Sequence, residues 1–513
     1  MKRIFPLLTL FFILYTGRAN TYIVNSTADS GPGTLRFAID SANNTGSSTI
    51  LLMLTADDTI YLQSDLATIN VDLIIQGQTC QNPTISGTST AYYYPVFYGP
   101  SRSLTFTNVN IINCIDNGWG EGGAINGNDV TLTNCYFYNN TVTVSTLGGA
   151  CDGGAVFSNQ SVTAYNCTFN NNQSTSGSTE ADGGAIAAGG SSFYLTNCTF
   201  VNNQATSYGS AIWGIPHTVY NCTFVNNITG QGGIIWSNVN LPVSFANNIV
   251  WGNTGSNKPA LYFPASSSYD GSNILQQAGE DTLYVAAPGD TFGVDPQLGT
   301  LGYYGGCVPT MPIKCGSIAE NYGTTFTIPM VDSSANGDTA YGIRDAGAFE
   351  VVPMSIAITT TGSADSNGTA AVSNTGGVAP YHYLWSNSQT TDTIRGLTPG
   401  TYMVTVTDLA GCPLADTVTV ISTGINDIAG LKRFEVFPNP ANNNVNIQLQ
   451  NSSGNPLHLR ITDIEGKSFY NMPIGHAENW NKTLDLSLFS SGVYYIEITG
   501  VNGSESKTLV IVH

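Results

Sequence analysis

Residues 134–140 read Asn134-Cys135-Tyr136-Phe137-Tyr138-Asn139-Asn140, and the phrase Asn-Cys-x-Phe-x-Asn-Asn returns three more times. It recurs with Cys167 and Phe169 between Asn166 and Asn172, with Cys198 and Phe200 between Asn197 and Asn203, and with Cys222 and Phe224 between Asn221 and Asn227. A partial copy, Asn113-Cys114, precedes these, and a degraded one near Asn247–Asn253 follows. A second phrase, of the form Gly-Gly-Ala-Ile, stands at Gly122–Ile125, Gly153–Val156, Gly183–Ile186, Gly209–Ile212 and Gly232–Ile235. Successive cysteines from Cys114 to Cys222 are 21, 32, 31 and 24 residues apart. A constant core with variable insertions describes one coil of a solenoid, whose short strands bury a face only by stacking on the next coil. Strands stacked about 4.8 Å apart line equivalent side chains up as ladders. Cys, Phe and the series Ile125, Val156, Ile186, Ile212 and Ile235 are expected inside. Asn is expected at the turns, because it tolerates left-handed backbone and its amides can bond from coil to coil. The pattern predicts an all-β chain whose main body, residues 20–353, is a right-handed parallel β-helix.

Composition agrees. The chain has 513 residues, 56 of them glycine, is 42% hydrophobic and only 10% charged, and shows no long helical periodicity. Its 15 basic and 34 acidic residues give a net charge of −19. Between Phe106 and Val294 the only basic side chain is Lys258 and the only histidine is His217. Such a surface cannot neutralise phosphates, which argues against nucleic acid and against anionic membranes as partners. Lys2 and Arg3 before the apolar run Ile4–Tyr15, with Gly17 and Ala19 following, read as a signal peptide over residues 1–19. Its removal would bring the charge to −22. No other stretch is long and apolar enough for a transmembrane segment.

Ten cysteines in an exported chain ordinarily suggest disulfides. Neighbours on one ladder point the same way, however, which suits a disulfide badly. The repeat cysteines are therefore expected to be buried thiols, where a serine hydroxyl would lack a partner at a cost of roughly 1–3 kcal/mol. Cys307 and Cys315 lie off the repeat and are expected to be bonded.

The two phrases resemble the GGAI and FxxN repeats of the polymorphic outer-membrane proteins of chlamydiae, with FxxN at Phe137–Asn140, Phe169–Asn172, Phe200–Asn203 and Phe224–Asn227. That resemblance, over residues 113–253, implies a parallel β-helix with a role in adhesion. The stretch Ser30–Ile39, with apolar Leu35, Ala38, Ile39 and Ala42, has the spacing of a short amphipathic helix that would cap the first coil. The stretch from Asp295-Pro296 to Asp345–Glu350 resembles the closing region of the choice-of-anchor β-helix family, which implies a surface location.

Two small β-sandwich, immunoglobulin-like modules are expected after Pro353. Residues 354–421, with Gly376–Tyr381, Tyr383–Asn387 and Gly400–Asp408, resemble the repeat of the flavobacterial gliding adhesin, with Trp385 expected in the sandwich core. Residues 422–431 read as a linker. Residues 432–513 carry Pro438-Asn439-Pro440, Gly466 and Gly492, the two glycines expected at turns. They resemble the type A C-terminal sorting domain of the type IX secretion system of Bacteroidetes. The resemblance implies passage through that machinery, removal of the tail, and release or attachment to surface lipopolysaccharide.

Two columns of the β-helix are candidate sites. Glu121, Asp152 and Asp182 each precede the Gly-Gly phrase and should stack, continued by Tyr208 and Gln231. Carboxylates about 5 Å apart could serve hydrolysis, hold Ca²⁺ through oxygen ligands, or cap turns in solvent. The second column is Asn126, Phe157, Ala187, Trp213 and Trp236; if Ile125 points in, Trp213 and Trp236 point out and could contact a glycan. Lyase chemistry needs a base, and Lys258 stands alone in the repeat region. The reading is a secreted or cell-surface binding protein, an adhesin or glycan-contacting β-helix. The alternatives are a carbohydrate-active enzyme (polysaccharide lyase or glycoside hydrolase) and a purely structural coat component.

Overall fold

The computed structural model describes residues 20–513 except 88–93, 119, 145–150, 177–179, 238–242, 256–260, 263–270, 277–286, 324–344, 363–366, 422–427 and 502. The expected signal peptide, Lys258 and most of the linker lie outside the described residues. By contact the chain forms two compact units, one reaching Ser355 and including 375–382 and 406–414, the other holding the remainder from Ile356.

The first unit is a parallel β-helix, its described strands paired coil to coil in sheets of 11, 10 and 6 strands, with a two-stranded sheet of Cys151–Asp152 and Ala181–Asp182 beside them. The repeat sets the register. Phe137 pairs with Phe169, Phe169 with Phe200, and Phe200 with Phe224. Their rings stack with centroids 4.9, 4.8 and 4.9 Å apart, the strand spacing itself. Cys135, Cys167, Cys198 and Cys222 form the neighbouring ladder, all fully buried thiols. Each Sγ donates to the carbonyl oxygen two residues earlier, at 3.2 or 3.3 Å. The expectation that a hydroxyl here would lack a partner is therefore corrected, because the acceptor is built into the strand.

Asparagine does two different jobs. Asn134, Asn166, Asn197 and Asn221 turn the chain with φ between 51° and 55°, and Asn139, Asn171, Asn202 and Asn226 with φ between 53° and 56°. The next residue along, Asn140, Asn172, Asn203 or Asn227, points into the coil and is fully buried. Each of these amides is bonded to the next coil's amide and to a carbonyl of the preceding coil.

The Gly-Gly phrase is a tight corner. Gly122, Gly153, Gly183 and Gly209 have φ of 82°, 75°, 63° and 65°. A Cβ on Gly123 or Gly154 would lie 2.2 or 2.0 Å from the carbonyl oxygen of Gly154 or Gly184 in the next coil, so the coils close up only without one.

Both ends of the solenoid are treated. The helix Leu35–Thr45 is capped by Thr34, whose Oγ1 accepts from the Phe37 N–H at 3.3 Å, and it buries Leu35, Ala38, Ile39 and Ala42. It packs on the first two strands, Asn20–Val24 and Ser48–Leu52. At the other end, chain after the last coil doubles back along the ten-stranded sheet. The Pro309 carbonyl accepts from Thr168, Thr310 meets Thr199, and the Ala348 N–H donates to Thr223. Cys80–Cys307 and Cys315–Cys412 are disulfides, so Cys307 and Cys315 are bonded as expected. Asp345, 3% exposed, accepts from the Asn321 and Val351 N–H groups. Burial pushes it up to about 6.

The module after Pro353 has two three-stranded sheets. Trp385 is 2% exposed, its Nε1 donating to the Thr391 carbonyl at 3.0 Å, a core position as expected. The C-terminal module packs an antiparallel three-stranded sheet (Leu431–Phe437, Asn444–Asn451, Asn479–Asp485) and a four-stranded one around Val445, Ile447, Leu459, Ile461, Ile496 and Leu509. Among the described residues no helix is long and apolar enough to cross a membrane.

Candidate functional site

The acidic column forms as the repeat dictates. Glu121 bridges to Asp152, and Asp152 pairs with Asp182, each one coil apart. The surroundings are drier than a solvated turn. Asp182 is 4% exposed, and its Oδ1 accepts from the Tyr208 N–H at 2.9 Å. Asp152 Oδ1 is buried without a hydrogen-bond partner among the described residues. Burial, then the charges of Asp182 and Glu121, push Asp152 up to about 8. Burial pushes Asp182 up to about 7. Glu121 Oε2 accepts from Asn126 Nδ2 at 3.1 Å. Two carboxyls that hold their protons near neutrality relieve the repulsion of the stack without a counter-ion. Among the described residues no three His, Cys, Asp or Glu are grouped as a metal ion requires.

The tryptophan column is less open than the alternation of the strand implies. Trp213 and Trp236 are register partners. Trp213 is half-buried and Trp236 is 8% exposed, with the Tyr208 ring 4.5 Å from it. The corner that carries the acidic column folds over these outward positions, so Asn126, Phe157 and Ala187 are buried as well. Side chains on both sides of this strand segment are therefore covered.

The solenoid has a third face that the repeat phrases do not mark. Beyond the insertions, the long sheet presents two outward columns whose register is continuous over eight coils. One is Thr49, Ile74, Thr105, Thr131, Thr163, Tyr194, Thr218 and Ser244. The other runs through Leu51, Gln76, Thr107, Thr133, Tyr165, Thr196, Tyr220 and Ala246, with Thr196 and Ala246 buried at 4% and 1% exposure. The residues between them, among them Ile75, Phe106, Leu132, Leu195 and Val219, are buried core. The alternation Thr-x-Thr or Thr-x-Tyr stands in the sequence at 105–107, 131–133, 163–165 and 218–220; what hides the columns is the variable length of the insertions, which obscures the coil-to-coil register.

In the C-terminal module, Asn439 between Pro438 and Pro440 acts as a substitute strand residue. Its Nδ2 donates to the Thr508 carbonyl at 2.7 Å and its Oδ1 accepts from the Val510 N–H at 2.8 Å. Gly466 sits in the turn expected of it, φ 81°. Gly492 does not: it is the first residue of the strand Gly492–Gly500, paired with Ile511. Residues 487–489 make the turn before it.

These features define a solenoid-bearing chain with a sandwich tail, and comparison with known proteins adds to that description. Residues 435–512 match the family model of the secretion system C-terminal sorting domain. Residues 363–390 match the SprB repeat. No curated protein matches the chain. Among solved structures, dimeric latent PorU from Porphyromonas gingivalis is similar at 13% identity and a TM-score of 0.14, over 31% of this chain and 20% of that one. A two-domain fibronectin type III segment of chicken tenascin is similar at 14% identity and a TM-score of 0.17, over 31% of this chain and 99% of that one. The protein is thus a type IX secretion substrate: it is secreted and, after tail removal, held at the cell surface or released.

Proposed function

We propose that the protein is an extracellular binding protein, an adhesin whose β-helix contacts glycans outside the cell. The observation that supports this most is one chain that joins a sorting domain at 435–512 and a SprB repeat at 363–390 to a solenoid. The repeat resembles that of a gliding adhesin, and the β-helix resembles polymorphic outer-membrane and choice-of-anchor proteins. The tail engages the type IX machinery, and surface lipopolysaccharide is the anchor the resemblance implies.

The competing enzymatic reading rests on Asp152 and Asp182, side by side with raised proton affinities. A retaining hydrolase needs one carboxyl ionised and one protonated, both facing substrate. Asp182 is 4% exposed and tied to a backbone N–H, which is turn chemistry. The full secreted chain, applied to a glycan array and assayed in parallel for reducing ends, separates the two. Retention without new reducing ends supports binding; release of reducing ends supports hydrolysis.

A further inference from the structure

The outward columns of the long sheet carry a more specific inference, which rests on the glycan-binding reading above. In a chain of net charge −19, the sixteen positions from Thr49 and Leu51 to Ser244 and Ala246 contain no charged side chain. Seven coil-to-coil steps of about 4.8 Å make this strip roughly 34 Å long, with its two columns about 7 Å apart. Thr105, Thr107, Thr131, Thr133 and Thr163 are half-buried, so part of each side chain remains accessible on this sheet face.

Three tyrosines punctuate it. Tyr194, 41% exposed, lies in one column between Thr163 and Thr218. Tyr165 and Tyr220 lie in the other, flanking Thr196. The His217 ring stacks on Tyr194 at 5.6 Å and 17°, holding that ring in place. Beyond one edge of the strip, at the strand bulges, Asn159 Nδ2 of one coil donates to the Pro100 carbonyl of another at 3.0 Å.

We infer that this strip is the docking face for an uncharged polysaccharide, whose sugar faces rest on Tyr165, Tyr194 and Tyr220 and whose hydroxyls meet the half-buried threonines Thr105, Thr107, Thr131, Thr133 and Thr163. The charge pattern selects the ligand class. An anionic glycan would face the field of a strongly acidic protein with no lysine or arginine in the strip to receive it, whereas a neutral chain has no such penalty. Ring faces of tyrosine suit the apolar faces of sugars, and a hydroxyl at each threonine can donate or accept.

The test is co-sedimentation of the full secreted chain with insoluble neutral polysaccharides (cellulose, curdlan and chitin), with alginate beads as the anionic counterpart. The wild type is expected to bind at least one neutral polymer and not alginate. The variant Tyr165→Ala/Tyr194→Ala is expected to lose at least tenfold in affinity, and Thr131→Glu, which places a charge mid-strip, to do the same with an unchanged melting temperature. Asp152→Asn, on the corner face, should bind as the wild type does. Wild-type binding that these strip variants leave intact overturns the assignment of this face while leaving the glycan-binding reading standing. Preference for alginate overturns the neutral class, and failure to bind any polysaccharide overturns both readings.

Discussion

Asn140 Nδ2 donates to Asn172 Oδ1 at 3.0 Å across 32 residues of sequence, and the same oxygen accepts the Asn140 backbone N–H at 3.1 Å. Asn172 Nδ2 in turn donates to the Phe137 carbonyl and to Asn203 Oδ1. All four hydrogen-bonding places of one buried amide are used, two as acceptor and two as donor. The ladder continues through Asn227 to Asn253. A parallel one runs from Asn248 through Asn273 and ends on Asp290, a carboxylate that accepts from Asn273.

Asn172 is therefore among the least replaceable residues of the solenoid. Leucine there would fill the space and leave the Asn140 N–H and the Phe137 carbonyl unpaired, at about 1–3 kcal/mol for each group. Aspartate would replace the Nδ2 donor by an acceptor facing Phe137 O and Asn203 Oδ1. Both Asn172→Leu and Asn172→Asp should lower the denaturation midpoint, by an amount equal to about 3–5 kcal/mol. A change under 0.5 kcal/mol would show that the ladder is incidental to stability.

The cysteine ladder should remain reduced and unreactive. Burial pushes the Cys114 thiol up to about 12, and all five thiols are fully buried, out of reach of a reagent in solution. Alkylation should label Cys114, Cys135, Cys167, Cys198 and Cys222 only after denaturation. Cys167→Ser should cost only about 1 kcal/mol, because the Tyr165 carbonyl that receives the thiol can receive a hydroxyl. Labelling of the native protein at these positions would contradict the packing.

Asp152 makes stability depend on pH. Its proton affinity is raised on folding, to about 8. The folded state therefore holds a proton that the unfolded chain gives up above about pH 4, and the contribution fades as pH rises from about 4 towards 8. Asp152→Asn keeps the shape and cannot ionise. The melting temperature of the variant should fall less steeply than that of the wild type between pH 5 and pH 9. Asp152 and Asp182 favour their protonated forms, so a calcium ion would have to displace protons to bind there. Melting curves in calcium and in chelator should coincide, and Asp152→Asn with Asp182→Asn should not alter that result. A rise in calcium, lost in the double variant, would establish Glu121, Asp152 and Asp182 as the cation site that their stacking suggests.

Much of the architecture was legible because stacking converts sequence repetition into geometry. Phe137, Cys135 and Ile125 announce an interior, and Leu35, Ala38, Ile39 and Ala42 announce a cap helix, by spacing alone. What depends on contact across long separations was hidden. Nothing in the neighbourhood of Cys80 or Cys412 marks them as the partners of Cys307 and Cys315. Asn139 and Asn140 look alike in sequence, yet one turns the chain and the other is buried, because a left-handed residue swings its successor inward. Strand alternation places Trp236 outward, which it is, but the Gly-Gly corner and Tyr208 cover it. The threonine and tyrosine columns needed the register that unequal insertions conceal.

Delivery outside the cell by a removable tail underlies every functional statement above, and intact-mass analysis of the protein from the native cell surface and medium tests it. The expected species begins at or near Asn20 and ends before or near Leu431, and deletion of the last strand, Gly503–Ile511, should leave the protein in the periplasm. Surface or medium protein that still carries His513 would contradict the account.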